Sequence, residues 1–168
     1  PGLQLKILAA VVNPNGSIAA RVRITDTMGA PLDRLGVTTP GPVSISLVAG
    51  FIPQDADTYT AYTTRVQTSP ITRQAATQAV ADSGGTWTQE AEPGEYTYTF
   101  RARATANFDA TATHTIGAYA SRNLNEFDLG VNYASTTFHF VPAGGEVTKV
   151  RDVVSTASCN SCHTSLAA

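Results

Sequence analysis

The stretch 95–103 (EYTYTFRAR) constrains the fold more than any other part of the chain. If it is extended, Tyr96, Tyr98, Phe100 and Ala102 point to one side while Thr97, Thr99, Arg101 and Arg103 point to the other. Apolar residues at period two do not make a helical stripe, so the segment predicts a central core strand, with one face in the interior and one in water. Any fold for this chain must supply a sheet around it.

The flanking segments supply that sheet. Residues 5–12 and 18–24 are strand-like runs joined by Asn13-Pro14-Asn15-Gly16-Ser17, whose Asn-Gly step favours a tight reversal. Within the second run Ala20, Val22 and Ile24 share a face opposite Arg21 and Arg23. Val43, Ile45 and Leu47 alternate with Ser44 and Ser46 and give a third strand. Residues 58–66 (TYTAYTTRV) predict a fourth, rich in the Thr and Tyr that suit a pleated surface. Residues 67–85 are polar, Ala-rich and weakly patterned, and a helical turn is expected around 73–81. Trp87 begins the next hairpin, which turns at Glu92-Pro93-Gly94, and 112–121 and 131–141 close the pattern around a polar 122–130 loop. At least seven short strands with no strong helix between them predict an all-β antiparallel domain, a Greek-key split barrel or sandwich, over residues 1–145. Residues 146–168 read as a linker and the start of a second unit. The valines of 146–158 fit helix or extended chain equally, and Ser158 can cap a short helix.

That second unit carries the chemistry. Cys159-Asn160-Ser161-Cys162-His163 holds both cysteines of the chain at the spacing that attaches a c-type haem, with thioethers from Cys159 and Cys162 and an axial imidazole from His163 on the iron. Random placement would produce this arrangement with odds on the order of one in several thousand. Three plainer readings compete: a redox dithiol, half of a zinc site completed by His114 and His139, or a short disulfide of little energetic value. A haem also needs shielding and usually a second axial ligand, for which the chain offers His114, His139 and Met28. By alternation His114 shares a face with Ile116 and Ala118, while His139 points away from Phe138 and Phe140.

Other function classes find little support. The formal net charge is −2, which gives no reason to expect nucleic acid, and no apolar run approaches the length of a membrane-spanning helix. Arg21, Arg23, Arg101 and Arg103 could form a basic patch, Tyr59, Tyr62, Tyr96 and Tyr98 a stacking platform, and Asp55 with Asp57 part of a calcium site. Each set more often means a solvated face, core packing or a loop. There is no nucleophilic triad or phosphate loop, so an electron carrier rather than an enzyme is expected. Because covalent haem is installed outside the cytoplasm, an exported bacterial protein is expected, and protein made without maturation enzymes would remain colourless. With five residues after His163, truncation of a longer chain is the simplest expectation.

The chain resembles a known family at specific places. The runs Phe138-His139-Phe140-Val141-Pro142-Ala143-Gly144-Gly145-Glu146-Val147-Thr148 and Arg151-Asp152-Val153-Val154, followed by the Cys159–His163 motif, are similar to the passage where the N-terminal β domain of outer-membrane decahaem c-type cytochromes (the OmcA/MtrC family) meets the first haem. Pro93-Gly94-Glu95-Tyr96-Thr97-Tyr98-Thr99-Phe100 and the Asn-Leu loop after Arg122 are similar as well. The resemblance implies a cell-surface protein that passes electrons to extracellular acceptors such as metal oxides or flavins, with an outer-membrane porin and periplasmic cytochromes as partners. It implies that Cys159 and Cys162 anchor the first haem and that His163 is its proximal ligand. It transfers no role to His114 or His139. Metal-reductase activity would belong only to a full multihaem protein, of whose ten motifs one is present. A non-redox extracellular β module with incidental or metal-binding cysteines is the alternative.

Overall fold

The computed structural model describes residues 2–151. The expected helical attachment segment, the Cys159–His163 motif and most of the 146–168 unit lie outside the described residues. Residues 146–151 form neither helix nor strand.

The opening hairpin folds as its turn residues dictate. β1 (Gln4–Val12) pairs antiparallel with β2 (Ser17–Thr25). Gly16 takes a positive φ of 85°, and a Cβ there would lie 2.5 Å from the Ala104 carbonyl oxygen, so this turn accepts only glycine. β3 (Val43–Phe51) follows, and then β4 (Thr60–Ala61), a two-residue strand paired with the end of β3. The single strand expected over 58–66 is broken after β4. Residues from Thr64 onward leave the body as β5 (Thr64–Thr68), paired with β6 (Ala75–Ala79) in a separate two-stranded sheet.

β6 corrects the helical turn expected around 73–81. A helix of that length without a packing face is below the size at which nucleation is recovered. Here the tip also forbids it. The Ser69 hydroxyl accepts the N–H of Thr72 at 3.1 Å, the Ser69 N–H donates to the Gln74 carbonyl at 2.9 Å, and Arg73 sits at φ 61°. The chain is thereby reversed into a hairpin.

β7 (Thr86–Gln89) and β8 (Glu95–Arg103) return to the body, and β9 (His114–Asn123) and β10 (Val131–Phe140) complete it. The 122–130 loop is shorter than expected because β9 continues to Asn123; a 3-10 turn, Asn125–Phe127, bridges to β10. The two main sheets run β1-β2-β8-β7 and β10-β9-β3-β4, all antiparallel. Each sheet is therefore assembled from two pairs of strands distant in sequence, with the chain crossing between sheets at β2 to β3, from β4 to β7 by way of β5 and β6, and at β8 to β9. β1 lies alongside β10, so the sheets approach along that edge and the body is an all-β split barrel.

The core is the interdigitation of the inner faces. Ile18, Ala20, Val22 and Ile24 of β2 and Tyr96, Tyr98 and Phe100 of β8 meet Val43, Leu47 and Ala49 of β3 and Ile116, Ala118 and Ala120 of β9. The period-two reading of 95–103 thus holds at its apolar positions. Asp82 fastens the returning chain to this core: its N–H donates to the Leu47 carbonyl, and its carboxylate accepts the Tyr98 hydroxyl at 2.8 Å and the N–H groups of Arg101 and Ala102 at 2.9 Å.

Candidate functional site

The residues predicted to hold a haem, Cys159, Cys162 and His163, lie outside the described residues. What the structure does determine is the end of the domain that leads to them. β3 finishes at Phe51, β9 begins at His114 and β10 finishes at Phe140, and the register places His114 opposite both Phe51 and Phe140. Three connections therefore gather at one end of the body. Ile52 N–H donates to the Thr113 carbonyl at 2.9 Å, and Ala143 N–H donates to the Ala110 carbonyl at 2.8 Å. The chain leaving Phe140 returns to the 52–58 loop through Lys149, whose ammonium donates to the carbonyls of Ala56 at 2.9 Å and Gln54 at 3.2 Å and lies 3.5 Å from the Asp57 carboxylate. Arg151 Nη1 donates to the Asp57 carbonyl at 3.3 Å.

His114 is the hub of this end. It is buried among the rings of Phe51, Tyr62, Phe108 and Phe140, with centroids 5.5–5.9 Å away. Its Nδ1 lies 2.9 Å from the Ala112 carbonyl oxygen, which can only accept, so the ring proton sits on Nδ1. The bare Nε2 then accepts the Tyr62 hydroxyl at 2.7 Å. Burial holds the imidazole below its usual range and pushes the Tyr62 phenol up to about 12. With both nitrogens engaged and the ring sealed by aromatics, His114 is a structural residue and does not fit a second axial haem ligand.

The other proposed ligands lie outside the ring cluster around His114. His139 lies on the opposite face of its sheet from the core, as alternation requires, with Nδ1 2.8 Å from the Thr115 hydroxyl, which in turn donates to Tyr59 at 3.2 Å. Met28 is 91% exposed in a turn whose shape is set by Asp26, the carboxylate accepting the N–H groups of Met28 and Ala30. Among the described residues no group of three or more His, Cys, Asp or Glu side chains could hold a metal, so Asp55 and Asp57 are not joined by a third such side chain.

The arginines and tyrosines separate into different places. Arg21 and Arg23 both pair with Glu95, whose side chain is only 2% exposed. Burial alone would raise that carboxyl, but hydrogen bonds and charge from Arg23 and Arg21 outweigh it and the net shift is downward. Arg103 is registered against Ser17 at the other end of β2 and donates to the Asn15 carbonyl, so the four arginines do not make one patch. Tyr96 and Tyr98 pack around Trp87 in one sheet, whereas Tyr62 belongs to the His114 cluster. Sequence reading missed the Arg21–Glu95–Arg23 triad and the Lys149 contact. For the triad a signal existed: two arginines two residues apart on one strand can converge on a single acid across a ladder. For Lys149 there was none, because its acceptors are backbone carbonyls in a distant loop.

No family model matches the chain, and no curated protein does. Solved structures do resemble it. The outer membrane decaheme cytochrome OmcA superposes with a TM-score of 0.61 at 18% identity, over 96% of this chain and 26% of that one. MtrC from Shewanella baltica OS185 superposes with a TM-score of 0.65 at 22% identity, over 99% of this chain and 26% of that one. The chain therefore shares, over nearly its whole length, the fold found in about a quarter of each of these two proteins.

Proposed function

We propose that this chain is a β scaffold domain of a cell-surface multihaem c-type cytochrome, carrying one haem on Cys159, Cys162 and His163 and handing electrons towards an extracellular acceptor such as a metal oxide or a flavin. The observation that carries the reading is the occurrence on one chain of a Cys-x-x-Cys-His motif and a split barrel superposing on OmcA, a protein described as an outer membrane decaheme cytochrome. Either alone would be weak; together they draw on different evidence.

The donor set fits the group. Two thiols three residues apart can add to the ring's vinyl groups, and the adjoining imidazole can reach the iron. The haem, when bound, supplies a one-electron couple. The chain's own contribution is to anchor the ring covalently, to give the proximal nitrogen and to present the assembly from one end of a rigid β body. An exported location and partners in an electron-transfer pathway follow from the same reading. A non-redox surface module is the competing one.

The visible spectrum separates them. Exported protein matured by a c-type cytochrome assembly system should show sharp haem bands that stay with the polypeptide through acid–acetone extraction. Changing Cys159 and Cys162 to Ala should remove the colour and leave cooperative unfolding of the β body intact. A correctly processed, colourless product would defeat the proposal.

A further inference from the structure

We infer that Lys149 and Arg151 are positioning residues that latch segment 141–151 onto the 52–58 loop, so that the chain departs towards Cys159 from a fixed point on the β body. The latch itself stands on the described contacts; its consequence for a haem rests on the function proposed above.

Residues 141–151 contain no helix or strand and include Gly144-Gly145, so without attachments they would behave as a flexible tether. Their attachments are specific. An ammonium has three donors, and Lys149 finds three acceptors at 2.9, 3.2 and 3.5 Å in one short loop. The loop is itself held to the body at its start. Ile52 is 2% exposed and bonded to Thr113, and Gln54 Nε2 donates to the Thr111 hydroxyl at 3.2 Å. Val147 and Lys149 are half-buried while Thr148 and Val150 are exposed, the alternation of an extended segment with one side against the body.

Magnitude identifies which contact matters. Asp57 is 96% exposed, so its pairing with Lys149 across 3.5 Å is screened by water and contributes little. The two carbonyls are the better partners, since hydrogen bonds from a charged donor are the stronger kind. The latch is therefore a backbone cage, and the carboxylate is secondary.

The consequence is geometric. Without the latch the last residue bonded to the body is Ala143, from which Cys159 is 159 − 143 = 16 residues away, a reach of up to about 58 Å in extended chain, whereas from Arg151 it is 159 − 151 = 8 residues, or up to about 29 Å. Fixing residue 151 halves the radius within which the attachment site can lie relative to the β body.

The first test needs no haem. A Glu-specific protease should cut after Glu146 slowly, with the exposed Glu126 bond as internal reference. In Lys149→Met/Arg151→Gln the normalised rate should rise at least about five-fold, Lys149→Arg should restore it, and Asp57→Asn should stay within about two-fold. An unchanged rate in the double variant overturns the latch, and a rise in Asp57→Asn as large as in the double variant overturns the backbone cage. The second test uses matured full chain and time-resolved fluorescence of Trp87, the only tryptophan. Quenching with a narrow lifetime distribution that broadens in the double variant is expected. Quenching with no broadening overturns the positioning role. Absence of quenching instead removes the haem reading and leaves the protease result to decide the latch.

Discussion

β8 and the β5–β6 arm are both regular antiparallel strands, yet they are stabilised in opposite ways. In β8 the residues Tyr96, Tyr98 and Phe100 are buried between two sheets, and pairs with β2 and β7 flank the strand on both sides. In the arm every residue of both strands is exposed, Val66 included at 69%, and no third strand joins them. Extended backbone and ladder hydrogen bonds are common to both, so they do not account for the difference. Burial does: a lone hairpin is marginal in water, whereas a core strand gains the transfer of its whole apolar face. The two regions should therefore answer mutation very differently.

The largest effect is expected in the body. Leu47 is 1% exposed at the centre of the core, and Leu47→Ala should lower the unfolding free energy by about 3 kcal/mol, measured by denaturant titration. A loss below about 1 kcal/mol would mean that the body is as loosely packed as the arm.

A smaller effect is expected at the aromatic end. Tyr62→Phe removes the donor to His114 Nε2 and should cost about 1 kcal/mol at neutral pH. Because burial lowers the His114 proton affinity in the folded state, the unfolded chain binds that proton more readily. Stability is then full above about pH 6.5 and falls as the pH drops towards the folded value. His114→Gln should flatten that acid limb; an unchanged limb would place its origin elsewhere, for instance in Glu95, whose lowered carboxyl loses stabilisation at lower pH still.

The smallest effect belongs to the arm. Val66→Ser should change global unfolding by less than about 0.5 kcal/mol, since it exchanges one exposed side chain for another. A loss comparable to that of Leu47→Ala would erase the contrast and show that the arm is packed against something in solution.

The same contrast explains what could be read in advance. Strands whose alternation is tied to burial, such as 18–24, 43–47 and 95–103, were legible because a buried face imposes apolar residues at every second position. The arm was not, because exposure imposes no pattern, and an Ala-, Thr- and Gln-rich segment then reads as readily helical as extended. At the candidate site the attachment motif was legible as chemistry, since a porphyrin demands particular side chains at a particular spacing. The assignment of His114 as structural was only half visible: alternation placed it on the inward face, but its proton and its partners come from Ala112 and Tyr62, fixed by the 104–113 loop and the break after β4.

Sequence alone determined the all-β class, the turns at Asn15-Gly16 and Pro93-Gly94, most of the core and the cysteine–histidine motif, because each follows from local stereochemistry or from side chains that only one chemistry requires. Tertiary structure decided which strands share a sheet, that Glu95 lies beneath two arginines, that one histidine is sealed by rings, and that Lys149 returns to a loop about ninety residues earlier. Those outcomes depend on backbone carbonyls and on burial created by the rest of the fold, and neither leaves a mark on the local order of residues.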